Sequence, residues 1–490
     1  MIRWAPDQTF VEQLDGLYEG WSSDHVAAPQ ALVVNGPVAT ELGLDPVWLA
    51  SADGVAALLG QSPPPHRTVA QAYAGHQFGS YSPRLGDGRA LLLGEALTHD
   101  GRRVDIHLKG SGRTTFSRGG DGKAAVGPMV REYVISEALH ALGVPTTRTL
   151  AVVATNETIA RDRPLPGAVL VRVAASHLRV GSFQYAASSG DTDLLRRLAD
   201  HAISRHHPQC AHDPEPYLAL LEAVSAAQAR LVSQWMAIGF VHGVMNTDNM
   251  TISGESIDFG PCAFMEAHDP RTVFSSIDHG GRYAYGQQPG IAQWNLARLA
   301  ETLLPLLHDD VQEAIRIATE AVERFAGLFR LEYVARMRAK TGLVAVDLPG
   351  EEAVAVVNDF LALMTAHRVD HTLAFRSLSG VLRGQRVAFD ALFPDSDDVR
   401  AWTTRWLAWV PTDPSTRLGV ADGMDAVNPV HVPRNHLVEE ALAAATVGDL
   451  RPVDALVAML RHPFERLPDD DRFLLPAPEG WEGYMTFCGT

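Results

Sequence analysis

Cysteine is scarce in this sequence of 490 residues, since only Cys210, Cys262 and Cys488 occur. Three cysteines do not build a disulfide framework, and such usage favours a reducing compartment. Long hydrophobic runs are also lacking, because none approaches the roughly 18 apolar residues that cross a bilayer. No apolar segment follows the N-terminal Met1 as it would in a secretory signal. We therefore predict a cytoplasmic protein with no membrane partner.

Positive charge is in deficit as well. Lysine and arginine number 41 against 58 aspartates and glutamates, which gives a net charge of −17. Nucleic acids and anionic lipids bind net positive surfaces, so we expect no nucleic-acid partner, although local basic pockets stay open. Hydrophobic residues make up 46% and charged residues 20% of the chain, as in ordinary globular proteins. The length predicts two or three structural units with a sizeable core.

Short β-patterned runs and turn dipeptides mark residues 1–185. Residues 90–95 form one apolar run, and Asp100-Gly101 after it is a strong hairpin signal. From Val104 to Lys109 apolar and polar residues alternate. Alternation with a period of two predicts a half-buried strand. Lys109 would end this strand on its polar face.

A helix is predicted next, because Pro128 suits the first helical turn and Gly143 suits the position after the last turn. Glu132 lies beside the apolar stripe of this helix. Two more strands are predicted over residues 149–154 and 168–174. The order strand, strand, helix, strand, strand favours an α+β protein with an antiparallel-sheet N-lobe.

Helical periodicity dominates residues 186–490. The predicted helices cover residues 194–204, 217–238, 294–307, 311–329, 352–366 and 437–445. Residues 412–428 and 463–479 are predicted to be long surface loops. We therefore divide the chain into an N-lobe with an N-terminal extension, residues 1–185, and a helical C-lobe with a C-terminal extension, residues 186–490.

The most informative spacing lies between His242 and the Asp258-Phe259-Gly260 triplet. Asn249 follows the histidine by seven residues and precedes Asp258 by nine. Protein-kinase-like folds build their metal site in this way, with asparagine and aspartate oxygens on Mg²⁺ and the metal on nucleotide phosphates. In that plan a strand lysine grips phosphate and a helix glutamate holds the lysine. Lys109 and Glu132 fit these two positions.

One position breaks the kinase plan. In kinases the catalytic base stands two residues after the histidine, where this chain has Val244, which cannot accept a proton. An acid, Asp248, stands directly before Asn249 instead. Either the chain is an inactive kinase or its chemistry differs.

Glycine-rich turns add candidate phosphate contacts, because backbone N–H groups can close on phosphate oxygens where glycine removes the side chain. These turns are Gly86-Asp87-Gly88-Arg89, Gly110-Ser111-Gly112-Arg113 and Arg118-Gly119-Gly120-Asp121-Gly122-Lys123. None is a Walker loop, since Lys123 is followed by alanine. Arg172 and Arg179 could add positive charge to the same cleft or pair with surface acids.

Several longer segments resemble the selenoprotein O family. They are QAYAGHQFG (71–79), LGDGR (85–89), LKGSG (108–112), HGVMNTDNM (242–250) and DHGGRY (278–283). The similarity resumes at Asn428-Pro429 and Arg434-Asn435 and ends at Phe487-Cys488-Gly489-Thr490.

This resemblance implies a bilobal protein-kinase-like (pseudokinase) fold and a protein adenylyltransferase. Such an enzyme transfers AMP from ATP to Ser, Thr or Tyr hydroxyls of proteins, with ATP inverted relative to ordinary kinases. The implied metal ligands are Asn249 and Asp258, for Mg²⁺ or alternatively Mn²⁺; Asp248 is the implied proton acceptor and Glu132 the implied partner of Lys109. The implied nucleotide-binding residues are Gly86, Gly88, Arg89, Lys109, Asp121, Gly122, Arg172, Arg179 and Asp258.

The family also has tail-to-loop disulfides, and here Cys262 follows the Asp-Phe-Gly triplet while Cys488 lies near the end. A Cys262–Cys488 bond and two reduced thiols both stay open. Three functions stay open too: an adenylyltransferase, a γ-phosphate-transferring kinase and a non-catalytic ATP-binding scaffold. Val244 disfavours the kinase, and the retained set of Lys109, Glu132, Asn249 and Asp258 disfavours the scaffold.

Overall fold

The computed structural model describes residues 6–62, 67–343, 349–468 and 470–487. Strands dominate the part before residue 175. They are β1 (Tyr18–Gly20), β2 (Gln30–Val34), β3 (Val69–Gln71), β4 (Gly75–Gln77), β5 (Ser80–Ser82), β6 (Ala90–Leu97), β7 (Arg103–Lys109), β8 (Ala124–Ala125), β9 (Arg148–Ala160) and β10 (Pro164–Ala174). The helices of this part are α1 (Thr9–Gln13), α2 (Gly36–Glu41), α3 (Pro46–Leu49), α4 (Ala52–Leu58) and α5 (Val126–Ala141).

An eight-stranded antiparallel sheet has the order β1-β3-β6-β7-β10-β9-β2, with β8 beside β10, while β4 and β5 pair separately. In the register of the central strands, Lys109 on β7 lies between Ala90 on β6 and Leu170 on β10. The lysine is therefore held in the middle of the sheet, at the end of its strand.

Both faces of the sheet are covered by helices. On one face, buried residues of α2 to α4 such as Leu49 and Leu58 join those of the central strands such as Ile106 in one hydrophobic cluster. On the other face, Val130 and Val134 of α5 pack on the sheet. This burial fixes α5, and with it Glu132, against the sheet.

The rest of the chain is mainly helical. Its helices are α6 (Val180–Ser188), α7 (Thr192–His206), α8 (Pro216–Ile238), α9 (Gln288–Leu307), α10 (Val311–Lys340), α11 (Gly350–Ala366), α12 (His371–Leu382), α13 (Val387–Leu392), α14 (Asp397–Leu407), α15 (Pro414–Asp425), α16 (Asn435–Thr446), α17 (Arg451–Leu460) and α18 (Asp471–Leu474). The short strands β11 (Phe240–Val241) and β12 (Ala263–Phe264) pair with each other. Helices α16 and α17 return to the outer side of α5.

The α+β prediction with an antiparallel sheet is confirmed by this arrangement. The prediction of a loop over residues 412–428 is wrong, because α15 occupies its centre. Asp413 caps this helix, accepting from Thr416 N at 2.9 Å, and buried Val420 and Met424 anchor it. The boundary at residue 185 falls inside α6 and stays a prediction. Among the described residues, no helix is both long and apolar enough to cross a membrane.

Candidate active site

Lys109 is the centre of a buried ion-pair network. Its Nζ donates to Glu132 Oε1 at 2.7 Å and to Asp258 Oδ1 at 2.6 Å. Glu132 Oε1 also accepts from Phe259 N at 3.2 Å. The network therefore joins β7, α5 and the Asp-Phe-Gly segment, which the sequence places far apart.

The expectation that β7 is half-buried is wrong, because both of its faces are buried. Its polar face is compensated by partners rather than by water, as buried charges require. His107 Nε2 lies 3.0 Å from Asp87 Oδ2, and Arg205 NH2 donates to Asp105 Oδ1 at 2.6 Å. The polar side chains of β7 therefore lie in the protein interior and not on a solvated surface.

Arg172 and Arg179 are both buried, with 2% and 3% of their surface exposed, so the alternative of solvated surface pairs does not hold. Arg172 NH1 donates to Asp258 Oδ1 at 2.8 Å. The Arg179 guanidinium lies 4.3 Å from the centre of the Tyr73 ring, and its Nε has no hydrogen-bond partner among the described residues. A buried cation without a bonded carboxylate is suited to an anionic ligand.

The loop between β11 and β12 carries the predicted catalytic and metal-binding residues. Asn249 Nδ2 donates to Val244 O at 3.1 Å, so its side-chain oxygen is turned away from that contact. His242 is buried and its Nε2 lies 2.8 Å from Ile257 O, which ties the loop to the residue before Asp258. The β11–β12 pairing and this bond hold the two halves of the loop together.

Asp248 and Asp258 have opposite electrostatic environments. Burial raises the pKa of Asp248 to about 6. Burial would also raise the pKa of Asp258, but Lys109 and Arg172 outweigh it and hold that pKa well below its usual range. Asp258 thus stays an anion, as a metal ligand must, while Asp248 can exchange a proton near neutral pH. Asp258 also has a φ of +64°, a strained value typical of functional sites.

The predicted glycine turns are tightly packed. A Cβ on Gly86 would lie 2.3 Å from the Phe116 ring, and one on Gly122 would lie 2.0 Å from Gly112 O, so neither position admits a side chain. Gly110 N donates to Arg89 O at 2.7 Å, which joins two of the turns. The Asp121 carboxylate is already paired, because Arg161 NH1 donates to its Oδ2 at 2.7 Å.

A cavity of about 500 Å³ gathers these groups. The cavity is lined by every site residue that the family resemblance implies: Gly86, Gly88, Arg89, Lys109, Asp121, Gly122, Glu132, Arg172, Arg179, Asp248, Asn249 and Asp258. The candidate turn Gly110-Ser111-Gly112-Arg113 does not line it. A cavity of this size accommodates a nucleotide-sized ligand.

The donor set at Asn249 and Asp258 fits a magnesium ion bound together with phosphate. Asp258 supplies a carboxylate and Asn249 an amide carbonyl, both hard oxygen donors. Among the described residues, no group of three or more His, Cys, Asp and Glu side chains could hold a metal without further ligands. Two protein oxygens are typical of Mg²⁺ sites in which substrate phosphates and waters complete the shell.

Sequence reasoning missed several residues of the cavity wall, among them Tyr73, Gln77, Phe78 and Arg161. Arg161 stands in a polar turn after β9 and belongs to none of the sequence motifs, so no local signal identifies it. Gln77 and Phe78 lie within the QAYAGHQFG segment, whose length was the only signal that could have found them.

The C-terminal segment is fastened beside the Asp-Phe-Gly segment. Arg131 on α5 donates to Cys262 O at 2.6 Å and to Glu439 Oε1 at 3.1 Å, and Tyr484 OH donates to the same Glu439 oxygen at 2.5 Å. Thr486 Oγ1 donates to Pro261 O at 2.8 Å. Cys488 lies outside the described residues, so the Cys262–Cys488 bond stays a prediction.

Comparison with known proteins identifies the family. The sequence profile described as protein adenylyltransferase SelO matches residues 7–461. A protein nucleotidyltransferase YdiU of Mycolicibacterium paratuberculosis is 58% identical over 99% of both chains. Proteins of the same name are 57% identical in Mycolicibacterium smegmatis, over 98% of this chain and 97% of the relative, and 53% identical in Cereibacter sphaeroides, over 99% of both. These matches confirm the prediction of a nucleotidyltransferase enzyme. The chain belongs to the SelO family of protein adenylyltransferases.

Proposed function

We propose that this protein transfers AMP from ATP to the hydroxyl groups of Ser, Thr or Tyr residues of other proteins and releases pyrophosphate. One observation carries the proposal: a single cavity holds the Lys109–Glu132 pair, the Asn249 and Asp258 oxygens and the acid Asp248. The lysine pair and the two oxygen ligands are suited to bind a metal-bound triphosphate, and Asp248 is suited to accept a proton.

The proposed architecture is a bilobal protein-kinase-like fold, with residues 1–185 and 186–490 as its lobes. The strand lysine paired to a helix glutamate and the metal-ligand loop support it. We further propose that ATP lies inverted relative to kinases, with its outer phosphates on the buried cations of Lys109, Arg172 and Arg179. These cations support the inversion, since a buried triphosphate tail needs several of them.

In the proposed reaction the acceptor hydroxyl oxygen attacks the α-phosphorus of ATP. The bond between the α-phosphorus and the bridging oxygen to the β-phosphate breaks, and pyrophosphate leaves with the electron pair. The hydroxyl proton passes to the Asp248 carboxylate. Lys109, Arg172 and Arg179 balance the charge that develops on the leaving group. A magnesium ion on Asn249 and Asp258 would neutralise further phosphate charge.

Val244 supports nucleotidyl transfer over ordinary kinase chemistry. It follows His242 by two residues, the spacing of the kinase base, and is an apolar, buried side chain that lines the cavity. Asp248 lies four residues further along the chain. Asp248 is the only acid between His242 and Asn249, and it is therefore displaced from the position that serves γ-phosphate transfer.

Mass spectrometry of proteins incubated with the enzyme, ATP and Mg²⁺ tests the proposal. We expect adenylyl groups on Ser, Thr or Tyr, and none in a parallel incubation with the Asp258→Asn variant. Phosphoryl groups in place of adenylyl groups would favour the kinase, and unmodified proteins would favour the scaffold.

A further inference from the structure

A small hairpin that is separate from the main sheet contacts the loop between β11 and β12, here called the catalytic loop. It consists of β4 and β5, paired from Gly75–Ser82 to Gln77–Ser80. Its two-residue turn places Phe78 and Gly79 at φ values of +51° and +86°. Positive φ at both turn positions is typical of the tightest hairpin turns. The hairpin is thus a stiff arm and not an open loop.

Backbone groups of the hairpin are bound to the catalytic loop. His76 N donates to Thr247 Oγ1 at 2.7 Å, and Phe78 N donates to Asn246 Oδ1 at 3.1 Å. Gln184 on α6 braces the first contact, because it accepts from Thr247 Oγ1 at 2.7 Å and lies 2.8 Å from His76 Nδ1. Two bonds on either side of Gln77 therefore fix the backbone that carries it.

Between these anchors, the Gln77 side chain meets the proposed proton acceptor. Gln77 Nε2 donates to Asp248 Oδ2 at 3.3 Å, and among the described residues it is the one side chain that hydrogen-bonds this carboxylate. The other oxygen, Oδ1, has no hydrogen-bond partner in the described structure. A Cβ at Gly75 would lie 2.6 Å from Oδ1, so the hairpin closes on the carboxylate from both sides.

We propose that the hairpin Gly75–Ser82 is a clamp for the catalytic loop and that Gln77 is a positioning residue that holds the Asp248 carboxylate in one orientation. The proposal rests on the proposed function, because it concerns the group that accepts the hydroxyl proton. Gln77 and Phe78 line the same cavity as Asp248. The clamp acts on the proposed proton acceptor, and neither Gln77 nor Phe78 is among the residues proposed to hold the ATP phosphates.

The test compares two variants. Gln77→Met keeps an unbranched side chain of similar length, and Gln77→Asn keeps the amide but places it farther from Asp248 because the side chain is one methylene shorter. The matched control is Ser80→Ala, at an exposed position of the same hairpin. We expect kcat for AMP transfer to fall about tenfold in Gln77→Met, since a hydrogen bond to a charged group is lost. The loss in Gln77→Asn should be smaller. The KM for ATP should not change, and Ser80→Ala should match the wild type.

A second measurement does not depend on activity. Denaturation midpoints of the wild type, Gln77→Met, Asp248→Asn and the double variant form a double-mutant cycle. We expect non-additive shifts, because the two side chains are in contact. Additive shifts, an unchanged kcat, or a rise in the KM for ATP in place of the fall in kcat would overturn the clamp. Wild-type protein that transfers no AMP while the shifts are non-additive would instead overturn the proposed function.

Discussion

The Lys109 ammonium lies 2.6 Å from the Asp258 carboxylate, so one ion pair joins the central sheet to the Asp-Phe-Gly segment across the cavity. Glu132 holds the same ammonium from α5 at 2.7 Å. Each of the three residues is supplied by a different element, and the lysine compensates both carboxylates in a buried site. A change at one member therefore affects the position and charge of the other two.

Replacing Lys109 with methionine should lower AMP transfer at least about 100-fold, the usual cost of removing one charge-stabilising group. The variant leaves Glu132 without its cation, while Asp258 retains Arg172. Initial rates at saturating ATP measure the effect. The exposed Arg163→Met variant is the control for loss of a surface cation. A Lys109→Met protein with wild-type rates would contradict the assigned role of the lysine.

Asp258→Asn should abolish metal-dependent activity. The substitution keeps the size of the side chain but removes the anion that Lys109 and Arg172 hold deprotonated. Calorimetric titration with ATP, with and without Mg²⁺, should show a metal-dependent gain in affinity for the wild type and none for the variant. The same metal-dependent gain in both proteins would refute Asp258 as a metal ligand.

The rate of AMP transfer should fall in acid with a midpoint near the pKa of Asp248, about 6. The carboxylate must be deprotonated to accept the hydroxyl proton, so the rate rises as pH increases through this value. Asp248→Asn should lose turnover at every pH and still bind ATP. A turnover profile that stays flat between pH 5 and 8, roughly one unit below to two above that pKa, would exclude Asp248 as the acceptor.

The same carboxyl should lower stability at neutral pH. Burial raises its pKa from 3.8 to about 6, so its protonated form stabilises the fold below the ordinary pKa, and that contribution is lost as pH rises through 6. The shift corresponds to about 3 kcal/mol at full ionisation. Asp248→Asn should therefore unfold at higher denaturant concentration than the wild type at pH 8, and the difference should shrink in acid. A variant that is less stable at pH 8 would disprove this.

Local sequence patterns are sufficient to predict the positions of site residues that lie on regular strands and helices. Lys109 ends an alternating strand, and Glu132 lies on a helix with recognisable end signals, so both positions follow from periodicity. The spacing of Asn249 and Asp258 lies within one loop and needs no long-range information. For these residues the sequence predicted which side chains the structure brings into one cavity.

Other features depend on contacts that periodicity does not encode. The polar face of β7 reads as solvent-exposed, because the buried partners of its side chains, such as Asp87 and Arg205, lie elsewhere in the chain. Gln77 belongs to a hairpin of three-residue strands, too short for a period to be detected. The sequence predicts a loop where α15 forms, since the glycines of this helix weaken the helical pattern while tertiary packing stabilises it.

Parallel reactions with ATP labelled on the α- or the γ-phosphate test the central claim most directly. The acceptor protein should gain α-label together with release of unlabelled pyrophosphate, and γ-label should appear in free pyrophosphate only. Transfer of γ-label to protein without α-label would contradict both the inverted nucleotide and the proposed AMP transfer.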